Sequence, residues 1–219
     1  MLVGVFPGVG RCPGGRRRLG GAWWGVLALC VCVLGVSACS GGGGADAEGP
    51  VMSGDYYVQS DGSLQRPSGV GEFPVPDPLV GEYSDAGAEA MASYYFETVA
   101  YAWNVGDPRA FMDMVATGCQ ACEDTAVRIR EAYADGGWAA KAGASEFQIS
   151  TPAQVDDQQT YGDETYAVDV SFSERTPDVY ANGTLTPGVE RVRGARVLVG
   201  WDGYFWHVVE VEDQPQDGS

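Results

Sequence analysis

One histidine, and 13 lysines and arginines against 30 acids, are all that 219 residues offer in cationic or imidazole chemistry, for a net charge of −17. Sites built from several imidazoles, such as a His-rich zinc centre, cannot be assembled from one such chain. A surface for a phosphate backbone is excluded too, because it needs clustered cations. No nucleic acid, metal or cofactor is therefore expected. There is no Gly-x-Ser-x-Gly nucleophile motif, and no glycine-rich phosphate loop precedes a helix. What is present is a hydrophobic fraction of 45%, enough for one domain with a real core but over too short a chain for a two-lobed solute-binding protein.

The first 38 residues lack acids altogether and hold four arginines, Arg11, Arg16, Arg17 and Arg18, ahead of the apolar run LGGAWWGVLALCVCVLGV. A basic stretch followed by an apolar one is the pattern of a secretory signal peptide. Val36-Ser37-Ala38-Cys39 then resembles the lipobox of bacterial lipoprotein precursors, which implies cleavage after residue 38 and diacylation of Cys39. The competing reading, an uncleaved transmembrane anchor, is weakened by glycines at 20, 21, 25 and 35. Arg16-Arg17-Arg18-Leu19 weakly resembles a twin-arginine export signal, although an ordinary positive n-region explains it as well. Cys12, Cys30 and Cys32 leave with the signal and are not ligands. The remaining chain carries 9 cations against the same 30 acids, so the lipid would hold the protein to the extracytoplasmic face of the membrane while charge keeps it off anionic lipid.

Residues 39–82 are rich in Gly, Ser, Pro and acids, from SGGGGADAEGP to Pro74, Pro76 and Pro78, and lack sustained apolar periodicity. This composition reads as a flexible tether, stiffer at its proline end, with Tyr56, Tyr57 and Val58 as a candidate edge strand. Residues 214–219 read as a disordered tail.

The folded domain is expected over 83–213. Ser84-Asp85 opens a stripe at helical spacing, Ala88, Met91, Ala92, Tyr95, Val99, Ala102 and Trp103, that Gly106 closes. Asp107-Pro108 starts a short second helix over Phe111, Met112 and Val115. A third runs from Cys122 through Ala126, Ile129 and Tyr133 to Gly136-Gly137. Beyond Trp138 the period falls to two, in Phe147 to Ile149 and in Tyr166, Val168, Val170 and Phe172. Arg191 to Trp201 and Tyr204 to Val211 form a hairpin about a two-residue Asp202-Gly203 turn, and Asn182-Gly183 marks another turn rather than a glycosylation acceptor. The fold class is α+β, three N-terminal helices packed on a curved antiparallel sheet.

Several features of 80–213 carry a resemblance: Tyr94-Tyr95-Phe96 through Tyr101-Ala102, Gly106-Asp107, Cys119-Gln120-Ala121-Cys122, Tyr133 to Gly137, and the ending WDGYFWHVVEVED. The region resembles an uncharacterised family of actinobacterial lipoproteins, similar in architecture to the nuclear-transport-factor-2-like, cystatin-like cone. The resemblance implies a fold and no activity.

Cys119 and Cys122 are the one compact motif of the domain. Outside the cytoplasm a structural disulfide is the favoured reading, with a redox pair or half of a metal site as alternatives. His207, in a strand, reads as a partly buried residue with a satisfied hydrogen bond, although a general base is the other option. In a cone the space between sheet and helices can hold an apolar ligand, and Tyr95, Trp103, Trp138 and Trp206 are the candidate lining residues. Tyr94, Tyr101, Asp113 and Asp169 complete the set from which a Tyr/Asp proton-transfer pair of the isomerase or cyclase type could come. No catalytic residue is assigned. The expected function is a non-catalytic binding or assembly module engaging an envelope protein or a small ligand, with dimerisation through the open sheet face.

Overall fold

Ser84 sets the start of the first long helix. Its hydroxyl accepts the Gly87 amide at 3.1 Å, and α1 (Asp85–Val105) runs from there to Gly106, which turns left-handed at φ 79°. The computed structural model describes residues 50–162 and 164–214. The signal segment 1–38, Cys39 and the tail from 215 on lie outside the described residues.

The buried face of α1 carries Ala88, Met91, Ala92, Tyr95, Phe96 and Ala102, the steps of three and four that put side chains on one stripe. Thr98 is buried among them and loses nothing by it, since its hydroxyl donates to the carbonyls of Tyr94 and Tyr95. α2 (Arg109–Met112) is a single turn, shorter than the stripe through Val115 predicts. The cause is non-local: the Ala116 amide donates to the Val208 carbonyl at 2.7 Å and the Val208 amide to the Met114 carbonyl at 2.8 Å. A strand edge thus claims backbone groups that a longer helix would have used. α3 (Gln120–Ala132) begins just after Cys119 and ends before Tyr133, where Asp135 at φ 51° and Gly136 at φ 81° turn the chain.

The strands follow: β3 (Trp138–Ala140), β4 (Gly143–Ile149), β5 (Ala153–Gln154), then a one-turn helix α4 (Gln158–Tyr161) that the sequence reading did not foresee. After it come β6 (Thr165–Arg175), β7 (Asp178–Ala181), β8 (Thr184–Thr186), β9 (Glu190–Trp201) and β10 (Trp206–Gln214). These strands pair antiparallel, in one sheet ordered β10-β9-β6-β4 with β5 beside β6, and a second ordered β3-β7-β8. The α+β class with antiparallel sheets is as predicted; the number and lengths of the helices are not. β7 and β8 meet at Asn182-Gly183, φ 52° and 75°, the left-handed pair of a tight hairpin. At Asp202-Gly203 the turn is wider than predicted. Trp201 pairs with Trp206 across four residues, and the Asp202 carboxylate accepts the amides of Tyr204 and Phe205 at 2.9 and 3.0 Å.

Val168, Val170, Phe172, Ala195, Val197, Val199, Val208 and Val211 face α1 and α3 and make one core with them. At one end of α1 the Trp206 indole donates to the Glu82 carbonyl at 2.7 Å. A Cβ on Gly87 would stand 2.7 Å from that indole nitrogen, which is why the helix needs glycine there.

Residues 50–82 depart from the mobile tether expected of them. β1 (Met52–Ser53) and β2 (Tyr56–Tyr57) pair with each other, and Tyr56, 3% exposed, packs its ring 4.9 Å from that of Trp138. Together with Ala140 and Tyr180 they form a second, smaller core. The chain then lies along α1. Arg66 donates to the Asn104 carbonyl at 2.7 Å, Phe73 meets Tyr101 edge-on at 5.1 Å, and Tyr94 donates to the Pro74 carbonyl. The composition argument fails because a few well-placed rings suffice: burying one aromatic side chain is worth roughly 1.5–3 kcal/mol.

Candidate functional site

A cavity of about 800 Å³ opens between α1, α3 and the inner face of the main sheet. Tyr95, Phe96, Val99 and Trp103 line it from the helix, and Phe172 and Val211 from the strands. Phe96 and Phe172 pack at 4.3 Å with their planes tilted by 31°, and Tyr95 meets Phe96 edge-on at 5.1 Å, so the inner wall is a continuous aromatic surface.

Arg128, Arg175, Arg191 and Arg193 also line this cavity, four of the nine cations that follow residue 38. Glu174 receives two of them, Arg191 at 2.6 Å and Arg193 at 3.1 Å, and Arg193 bridges on to Asp213. The Arg193 guanidinium lies 5.7 Å over the Phe96 ring, joining the aromatic wall to the charged side. Burial opposes its charge, but Asp213 and Glu174 outweigh that and hold its pKa above the ordinary value. Arg128 is exposed, donates to the Thr125 hydroxyl at 3.1 Å, and has no carboxylate partner among the described residues. A second depression of about 450 Å³ continues over the sheet end, sharing Gly143, Glu174, Arg175 and Arg191.

Of the four predicted lining residues, Tyr95 and Trp103 are in this cavity. Trp138 and Trp206 are not. Trp138 belongs to the second core under Tyr56, and Trp206 stacks on Tyr83 at 5.6 Å. Both are buried, in places other than the cavity they are expected to line.

The proton-transfer reading needs a tyrosine and a carboxylate in contact inside the cavity. Tyr95, buried there, donates to Cys122 Sγ at 3.5 Å, and burial raises its pKa while Arg193 and Arg128 lower it. Tyr94 and Tyr101 are taken up by Pro74 and Phe73, Asp169 is held by Arg196 at 2.8 Å, and Asp113 is exposed at the end of α2. A Tyr/Asp contact does exist, Tyr56 to Asp178, but it belongs to the second core and lines neither cavity.

Cys119 and Cys122 are joined as a disulfide with Cα atoms 5.3 Å apart, and both residues are fully buried beneath Tyr95. A redox pair needs an exposed sulfur, and neither is exposed. His207 is half-buried on β10, where a Cβ on Gly200 would stand 3.0 Å from its Nε2; burial lowers its pKa, with Asp202 partly opposing. It lines neither cavity. Among the described residues no group of three or more His, Cys, Asp or Glu side chains is placed to hold a metal.

The sequence reading missed the arginines. A signal was available: Arg191 and Arg193 share the phase of Ala195, Val197 and Val199 along β9, so their side chains are on the core side of the sheet.

The family of unknown function DUF6318 matches residues 67–211. The chain belongs to that family. No curated protein matches it. Among solved structures it is similar to the intermembrane-space region of the chloroplast protein ARC6, at 12% identity and a TM-score of 0.49 over 61% of this chain and 98% of that one. It is also similar to an NTF2-like protein with a cystatin-like fold from Novosphingobium aromaticivorans, at 18% identity and a TM-score of 0.32 over 62% and 84%. Among the described residues no helix is long and apolar enough to cross a membrane.

Proposed function

We propose that this DUF6318 chain is a lipid-anchored, extracytoplasmic binding module of the cell envelope that holds a small ligand and performs no chemistry on it. The anchor rests on Cys39 behind the basic and apolar segments. A cysteine pair joined at Cys119 and Cys122 suits an oxidising compartment.

The observation that carries the binding role is the open cavity of about 800 Å³ with a continuous aromatic wall. Its one buried tyrosine hydroxyl, Tyr95, is turned to a disulfide sulfur rather than to a carboxylate. Such a space can seat a ligand and lacks an assembled acid-base pair. The outer face of the main sheet bears Asp169, Arg196 and Gln214 in one hydrogen-bonded set, which gives little apolar area for a second copy.

The test is the intact mass of the protein purified from its native membrane, before and after mild reduction and alkylation. The expected species begins at a diacylated Cys39 and takes no label at Cys119 or Cys122. An unprocessed N-terminus overturns the anchor, and ready labelling at either cysteine restores the redox reading.

A further inference from the structure

Resting on the binding role just proposed, the cavity's two walls specify what it would take. We propose that it binds an amphiphile with one anionic head, the apolar body against Tyr95, Phe96, Trp103 and Phe172 and the head at Arg128 and the Arg191–Arg193 pair.

The cations of this chain are unevenly placed. The chain beyond residue 38 holds 9 cations and 30 acids, yet four of the nine stand around one cavity beside three acids, Asp124, Glu174 and Asp213. Structural ion pairing does not require that placement, because an acidic domain has carboxylates to pair over its whole surface. Glu174 and Asp213 fix the planes of Arg191 and Arg193 but leave each guanidinium donors to spare. Arg128, which reaches the cavity from α3, has the Thr125 hydroxyl as its one hydrogen-bond acceptor among the described residues. The Arg193 guanidinium lies 5.7 Å over the Phe96 ring, so this positive group stands at the aromatic wall itself.

An uncharged apolar ligand would leave these donors unused, and a small polar anion would leave the rings of Phe96 and Phe172 uncovered. An anionic head on a hydrophobic body satisfies both walls. Carboxylate and monoester phosphate share that chemistry, and Arg forks accept either.

The test uses the full mature chain in phosphatidylcholine nanodiscs with a photoactivatable long-chain fatty acid, the adducts being mapped by peptide mass spectrometry. Adducts are expected in the peptides carrying 95–103 and 121–128. Laurate or dodecyl phosphate should compete, and dodecanol at equal concentration should not. Competition by laurate alone identifies a carboxylate ligand, by dodecyl phosphate alone a phosphate, and by both any single anionic head. Arg128→Gln should cut labelling about fivefold, the upper range for one exposed charge pair. Arg109→Gln, whose guanidinium sits on Asp107 outside the cavity, should not change it. Ala100→Trp, which fills the cavity, should remove it, with near-ultraviolet circular dichroism confirming a folded chain.

Labelling that dodecanol competes equally and that Arg128→Gln leaves unchanged overturns the anionic specificity while the binding role stands. Adducts absent from both peptides overturn the amphiphile altogether, and the anchor is then judged by the mass measurement alone.

Discussion

The Tyr56 hydroxyl donates to the Asp178 carboxylate at 2.6 Å, across 122 positions of sequence and away from water. Asp178 also accepts the Gly188 amide at 2.7 Å and Arg175 at 3.1 Å, with Lys141 at 3.4 Å. Lys141 in turn lies 4.8 Å over the Tyr56 ring and pairs with Asp55. This set of contacts fastens the segment before α1 to the second sheet. Burial and the Asp178 carboxylate push the Tyr56 phenol up to about 12. Tyr56→Phe should cost about 2 kcal/mol, the loss of one buried hydrogen bond to a charged group. Urea unfolding measures it, and an unchanged midpoint would show that the contact stabilises nothing.

Acid should unfold the protein in two stages. Burial holds His207 below its ordinary value of about 6.5, so the folded state disfavours the protonated imidazole. Its contribution is complete above that value and is lost as pH falls below it toward the lower folded pKa. Asp169 is held low by hydrogen bonds from Arg196. At Asp178 burial alone would raise the pKa, but Tyr56, Gly188 and the cations outweigh it. Those contributions are present above the unfolded carboxylate value of about 3.9 and vanish as pH falls through the depressed folded values. His207→Gln should flatten the stability curve in the first range only. A curve still sloping just below pH 6.5 in that variant would assign the slope to another group.

Gly106→Ala should destabilise by roughly 1–3 kcal/mol. The residue is left-handed, and a Cβ there would stand 2.5 Å from the Tyr133 ring. That ring cannot withdraw freely, since its hydroxyl is shared by the carbonyls of Trp103, Asn104 and Ala139 at 2.8 to 3.1 Å. A melting temperature equal to the parent's would mean that the ring yields at no cost.

Reducing the Cys119–Cys122 bond, once denaturant has exposed it, should lower stability by only about 2 kcal/mol, because the bridge closes a very short loop. Calorimetry with and without reductant reads the difference. Collapse of the fold on reduction would give the bridge a larger structural role than loop closure provides.

Local chemistry was legible in the sequence wherever one residue decides a conformation: Ser84 at a helix start, Gly106 at its end, Asn182-Gly183 in a tight turn. The alternation through Val168, Val170 and Phe172 likewise announced a core-facing strand. What stayed hidden was set by partners distant in sequence. α2 stops early because β10 takes the backbone of 114–116, and nothing within 109–115 says so. Trp138 and Trp206 were legible as buried but not as members of different clusters. The cavity's polar side was half legible, since the phase of β9 turns Arg191 and Arg193 inward while Arg128 arrives from another element.

The strap of residues 50–82 along α1 has a consequence for the proposed anchor, because it shortens the chain left to act as a tether. With Cys39 as the anchor, only the 11 residues from Ser40 to Pro50 separate the lipid from the first hydrogen-bonded turn of the domain. Fully extended at about 3.3–3.6 Å per residue, they reach no further than roughly 40 Å. On the proposed anchor, the domain would work within that distance of the bilayer, within collecting distance of whatever leaves or enters its surface.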